Sequence, residues 1–91
     1  MASVIVTLKI MPSEPGVDLV KIENKAKEII SRFGGGVGKV EIEPIAFGLN
    51  ALKLIFIMDE RIGSTEKLEE DIAALDGVES VSVEDVRRAI G

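Results

Sequence analysis

The 91-residue sequence has no cysteine, histidine, tryptophan, tyrosine or glutamine, and its only aromatic side chains are three phenylalanines. Without cysteine it can form neither a disulfide framework nor a thiolate metal site, which fits a cytoplasmic setting. Without histidine, the Ser-His and Cys-His nucleophiles and the common metal-ligand sets are excluded as well. Carboxylates, lysine, serine and threonine are then the only candidate catalytic groups, and no cofactor or metal is expected. Acidic residues outnumber basic ones, 16 to 11, and the formal net charge of -5 opposes affinity for a phosphate backbone. RNA-recognition domains combine stacking aromatics with a basic surface, and both signs are missing. No direct nucleic-acid partner is expected. No apolar run approaches the roughly 20 residues that cross a bilayer, and no basic-then-apolar leader is present, so no membrane partner is expected either.

What is present is enough apolar side chain, 46% of the residues, to fill one core. One domain over residues 1–91 is expected. In residues 3–11, Val4, Val6, Leu8 and Ile10 alternate with Ile5, Thr7 and Lys9, the two-residue period of a strand with one fully apolar face. Pro12 and the group Ser13-Glu14-Pro15-Gly16 are expected to break it. Asp18 can cap a helix over residues 18–33, in which Leu19, Ile22, Ala26, Ile29, Ile30 and Phe33 recur at three- and four-residue steps. The glycine-rich segment from Gly34 to Lys39 has the wrong spacing and the wrong flanking elements for a phosphate-binding loop, and reads as a linker.

Residues 37–43 form a one-sided strand suited to a sheet edge, and residues 51–58 a strand apolar on nearly both faces, suited to its centre. Leu68, Ile72 and Leu75 mark the buried stripe of a second helix over residues 64–75, with Ser64 as its cap. Val81 and Val83 alternate with Ser80 and Ser82 in a fourth strand. Beyond Glu84 the pattern is ambiguous, because Val86 and Ile90 also suit a short helical turn. Strand, helix, strand, strand, helix, strand, with right-handed crossovers, gives the α+β ferredoxin-like βαββαβ sandwich: a four-stranded antiparallel sheet with two helices on one face.

Fold alone does not select a function. Metallochaperones of this fold need paired cysteines, and an acylphosphate hydrolase of this fold needs an arginine in the loop that is here Pro12 to Gly16. The acidic clusters Asp59-Glu60 and Glu69-Glu70-Asp71 lack the converging oxygens of a hard-cation site and read as solvated acid. The segment Ile45-Ala46-Phe47-Gly48-Leu49 places a rare aromatic at the tip of a tight connection. On pattern alone Phe47 is equally a plug under its own loop or a ring presented to a partner.

Three segments carry a resemblance: Pro44-Ile45-Ala46-Phe47-Gly48-Leu49 followed by an apolar strand and an acidic turn, Val78-Glu79-Ser80, and Asp85-Val86-Arg87-Arg88. The chain resembles archaeal elongation factor 1-beta along its whole length. The resemblance implies a guanine-nucleotide exchange factor, not an enzyme, whose partner is the translation GTPase elongation factor 1-alpha. In eukaryotic relatives of that family an aromatic of the matching loop enters a pocket of the GTPase. A basic residue near the carboxyl end disturbs the magnesium and phosphate region. By position these partner-binding roles fall to Phe47 and to Arg88 or Arg87. The relatives carry lysine where Arg88 stands, and arginine binds as a planar fork instead of a point charge. Without the resemblance the two arginines read as a solubilising tail. A small-molecule regulatory module using the Gly34 to Gly38 segment is the competing reading, and an assembly protein using the free sheet face is a third.

Overall fold

The computed structural model describes residues 2–89. The elements are β1 (Ser3–Pro12), α1 (Leu19–Phe33), β2 (Gly36–Pro44), β3 (Asn50–Asp59), a 3-10 turn η1 (Glu60–Ile62), α2 (Glu66–Ala73) and β4 (Val78–Arg88). The sheet order is β2-β3-β1-β4 and every pairing is antiparallel, so the two most apolar strands are central as expected. Both helices pack on the face carried by Val6, Leu8 and Ile10 of β1 and Leu52, Leu54, Phe56 and Met58 of β3. Ile22, Ala26 and Ile30 of α1 and Leu68 and Ile72 of α2 complete that core. The chain is therefore a ferredoxin-like α+β sandwich with one covered and one open sheet face.

Helix α1 begins and ends as its sequence dictates. Asp18 Oδ1 accepts hydrogen bonds from the Val20 and Lys21 amides at 3.1 and 3.3 Å. At the other end the Gly34 and Gly35 amides both donate to the Ile30 carbonyl. Gly35 is then drawn so close to the sheet that a Cβ there would lie 2.9 Å from both Ile30 Cγ2 and Phe56 Cδ2. Gly35→Ala is expected to lower stability by about 1–3 kcal/mol through overpacking. Urea unfolding reads this as a lower midpoint at unchanged slope.

Pro12 ends β1 as expected, buried and opposite Val78, where the register with β4 shifts. Three expectations need correction. Gly36 and Gly38 belong to β2 and not to a linker, with a register irregularity between Val37 and Lys39. Helix α2 is shorter than residues 64–75: Thr65 occupies the N-cap position without a side-chain cap bond, while Ser64 Oγ accepts from the Glu66 amide at 3.1 Å. Beyond Glu84 the chain stays extended to Arg88, and the alternative turn through Ile90 lies outside the described residues.

The last correction has a local cause. Thr7 pairs with Asp85 but Leu8 pairs with Val83, so Glu84 is an extra residue in β4, a β-bulge. The bulge turns Val86 to the helix side opposite Val6. It places Arg87 on the open face opposite Ile5, and Arg88 on the helix side opposite Val4.

Candidate functional site

The β2–β3 hairpin closes through residues 45–49. Leu49 donates to the Ala46 carbonyl at 3.1 Å, and Phe47 and Gly48 have φ of 56° and 77°. Positive φ at both central positions defines a type I′ turn, the reversal that matches strand twist and usually takes Asn-Gly. Glycine meets this demand freely at position 48, whereas phenylalanine at position 47 is a rare, strained choice. Phe47 is the only non-glycine residue with positive φ among the described residues, and its side chain is 95% exposed. A ring held in a costly backbone geometry yet touching almost nothing contributes nothing to the core. Of the two pattern-level readings of Phe47, the plug is thus excluded.

The arginines lie at the other end of the sheet. β3 alone has 10 residues and, at about 3.3 Å per residue, separates the hairpin tip from η1 by roughly 30 Å. The long dimension of the molecule is 42 Å. Arg87 Nε donates to Asp85 Oδ2 at 2.8 Å, and Arg88 Nη2 donates to Glu60 Oε2 at 2.9 Å. Arg61 is clamped by both oxygens of Asp59, at 2.9 to 3.3 Å, and that hydrogen bonding holds the Asp59 carboxyl below its ordinary pKa. Arg32 falls in the last turn of α1, beside the same end. All four arginines of the chain thus gather at the pole opposite Phe47. The structure sets Arg87 and Arg88 on opposite faces of β4 at one end of the sheet and keeps both far from Phe47.

The open face carries a cluster that its dispersed sequence positions conceal. Lys9 and Lys53 face each other across the central strands, a like-charge pairing that is unfavourable alone. Glu43 from one edge strand and Glu84 from the other neutralise them, with N–O distances of 3.0 to 3.8 Å. Glu84 reaches this face by ordinary alternation after Val83, and the bulge keeps Asp85 on the same side. Glu43 Oε1 is enclosed and its 3.2 Å approach to Lys9 is off the line of a hydrogen bond, which makes it an ion contact.

Lys9 and then Lys53 hold the Glu43 carboxyl below its ordinary 4.5. Glu84 above all holds Lys53 above its ordinary 10.5. A depressed carboxyl stabilises the fold above its unfolded pKa and loses that contribution as pH falls through its folded one. A raised ammonium stabilises below its unfolded pKa and loses its contribution as pH climbs through the folded one. Glu43→Gln is therefore expected to lower stability at neutrality, where the ionised carboxyl contributes, and to flatten the acid limb below pH 4.5. Thermal melts from neutral pH to about pH 3 test this, and an unchanged acid slope would mean that the cluster is energetically silent.

Among the described residues no group of three or more acidic side chains could hold a metal ion, and no helix is long and apolar enough to cross a membrane. The glycine-rich segment offers no ligand loop, since Gly34 caps a helix, Gly35 packs on Phe56, and Gly36 and Gly38 lie in β2.

Known proteins match this chain along nearly its whole length. A profile described as the EF-1 guanine nucleotide exchange domain matches residues 5–89. The protein named Elongation factor 1-beta from Methanobrevibacter smithii is 47% identical over 88 residues, covering 97% of this chain and 98% of that relative. Proteins of the same name from Methanothermobacter thermautotrophicus, 40% identical over 88 residues, and Staphylothermus marinus, 42% identical over 89, each cover 97% of this chain and 98% of their own.

Proposed function

The chain belongs to the EF-1 guanine nucleotide exchange domain family, and from that premise we propose how its two ends promote exchange of GDP for GTP on elongation factor 1-alpha. Residues 1–91 act as a single exchange domain. Phe47 docks into an apolar pocket of the GTPase, and the arginine pole, chiefly Arg88, approaches the magnesium and phosphate region of the nucleotide site. The observation that carries this reading is the exposed, strained Phe47 ring, whose placement serves a partner better than it serves the fold.

An exchange factor must bind the nucleotide-free GTPase better than the nucleotide-bound one, because equal affinity for both shifts no population. The bound magnesium neutralises phosphate charge, so loosening it weakens the hold on GDP and lets the more abundant nucleotide enter. A guanidinium brought to that region can replace part of the cation's charge while accepting no coordination role. No bond is made or broken in this cycle, in keeping with a chain that has neither histidine nor cysteine. The partner is the GTPase alone, without direct nucleic-acid or membrane contact, acting in the cytoplasm.

The roughly 30 Å between the two ends means that one small domain contacts two separated patches of the GTPase. Each contact then raises the effective concentration of the other. Release of labelled GDP from elongation factor 1-alpha, with and without this protein, is the test. Acceleration that saturates with added protein is expected, and an unchanged release rate would overturn the reading.

A further inference from the structure

Glu60 opens η1 directly after β3, in the acidic pair with Asp59 that the sequence alone reads as solvated. Its backbone is fixed on both sides: the Glu60 amide donates to the Ala2 carbonyl at 3.1 Å, and the Gly63 amide donates to the Glu60 carbonyl at 3.2 Å. Its side chain reaches across 28 positions of sequence to Arg88. The carboxylate partners of Arg61 and Arg87, by contrast, lie only two residues away in sequence.

We propose that Glu60 is the positioning residue for Arg88, holding the guanidinium at the arginine pole in the orientation in which it meets the nucleotide phosphate. The inference rests on the role given to Arg88 above. Arg88 is a long side chain, 72% exposed, and unheld it would scatter over many rotamers. A carboxylate on an anchored turn removes much of that freedom before the partner arrives. The sign of the effect follows from the geometry. Glu60 engages Arg88 through one nitrogen, Nη2, and one oxygen, Oε2. A guanidinium has five N–H donors, so a phosphate oxygen can be bound without giving up Glu60. Glu60 therefore assists Arg88 and does not compete for it. Arg61 differs in being held through two nitrogens, Nε and Nη2, by an Asp59 only two residues away.

An exposed ion pair shifts an equilibrium by about fivefold at most, so Glu60→Ala is expected to lower the maximal rate of GDP release about two- to fivefold. The concentration of factor giving half-maximal rate should change little, because docking through Phe47 is untouched. Glu60→Gln, which keeps an acceptor oxygen, should recover part of the loss. The double variant Glu60→Ala, Arg88→Ala should be no slower than Arg88→Ala alone, a non-additivity that a purely structural role of Glu60 would not produce. Thermal melts of all variants check that folding is retained. If Arg88→Ala is slow while Glu60→Ala exchanges at the normal rate or faster, the positioning role is wrong and the role of Arg88 stands. If Arg88→Ala itself exchanges normally, the reading of Arg88 fails and this inference falls with it.

Discussion

Phe47→Ala is expected to slow GDP release from elongation factor 1-alpha by roughly 30-fold or more, the effect of losing a hot-spot aromatic worth about 2 kcal/mol or more at an interface. Stability should hardly move. A core phenylalanine such as Phe56, which is 1% exposed, is expected to cost about 3–5 kcal/mol when cut to alanine. Phe47, 95% exposed, has no such burial to lose. Its backbone adds a sharper test. Alanine at φ 56° keeps most of the strain, whereas asparagine tolerates that conformation. Phe47→Asn should therefore raise stability by about 1 kcal/mol while abolishing the same exchange activity. Urea unfolding beside nucleotide release separates the two quantities. A core-sized loss of stability with normal exchange by the folded fraction would return Phe47 to the fold and remove it from the interface.

Arg88→Ala is expected to slow exchange roughly 10- to 150-fold, the range set by losing charge-assisted hydrogen bonds worth about 1.5–3 kcal/mol. Folding should change little, since the pair with Glu60 is exposed and such surface changes usually stay within about 0.5 kcal/mol. The mechanism predicts more than a slower rate. If Arg88 works by loosening magnesium, a chelator that lowers free magnesium supplies the missing step from outside, and the variant should recover much of its deficit. An equal deficit at every magnesium concentration would assign Arg88 to docking alone. Normal exchange by the double variant Arg87→Ala, Arg88→Ala would exclude both residues.

Much of the architecture was legible because alternation and helical spacing report burial directly. Val4, Val6, Leu8 and Ile10 declared one face of β1, and Asp18 and Phe33 bracketed α1 to within a residue at each end. The end of β4 was obscure for a physical reason. The apolar step from Val83 to Val86 is three residues, which reads as helical, yet it arises from the bulge at Glu84 inside an extended strand. Phe47 was ambiguous because apolar pattern says nothing about torsion angles. The following glycine was the available hint of a type I′ turn, and its significance appears only with the positive φ beside it. Phe47, Arg87 and Arg88 could be singled out from the resemblance, but not their placement at opposite poles. The pairing of Glu60 with Arg88 and the cluster of Lys9, Lys53, Glu43 and Glu84 could not be found, since the fold brings together residues that are distant in sequence.

The pairing of β1 with β4 joins residues 4–12 to residues 78–88, near the two ends of the described chain. On a ribosome the first of these strands emerges long before the second has been made. Until β4 arrives, β1 has an unsatisfied row of amides and carbonyls along one flank, the kind of template that invites pairing between nascent chains. Sheet completion, and with it the presentation of both arginines, has to wait until residues 78–88 have been synthesised. A product interrupted before residue 78 would lack the arginine pair and carry an open, apolar central strand, which marks it for aggregation or proteolysis instead of idle competition for the GTPase.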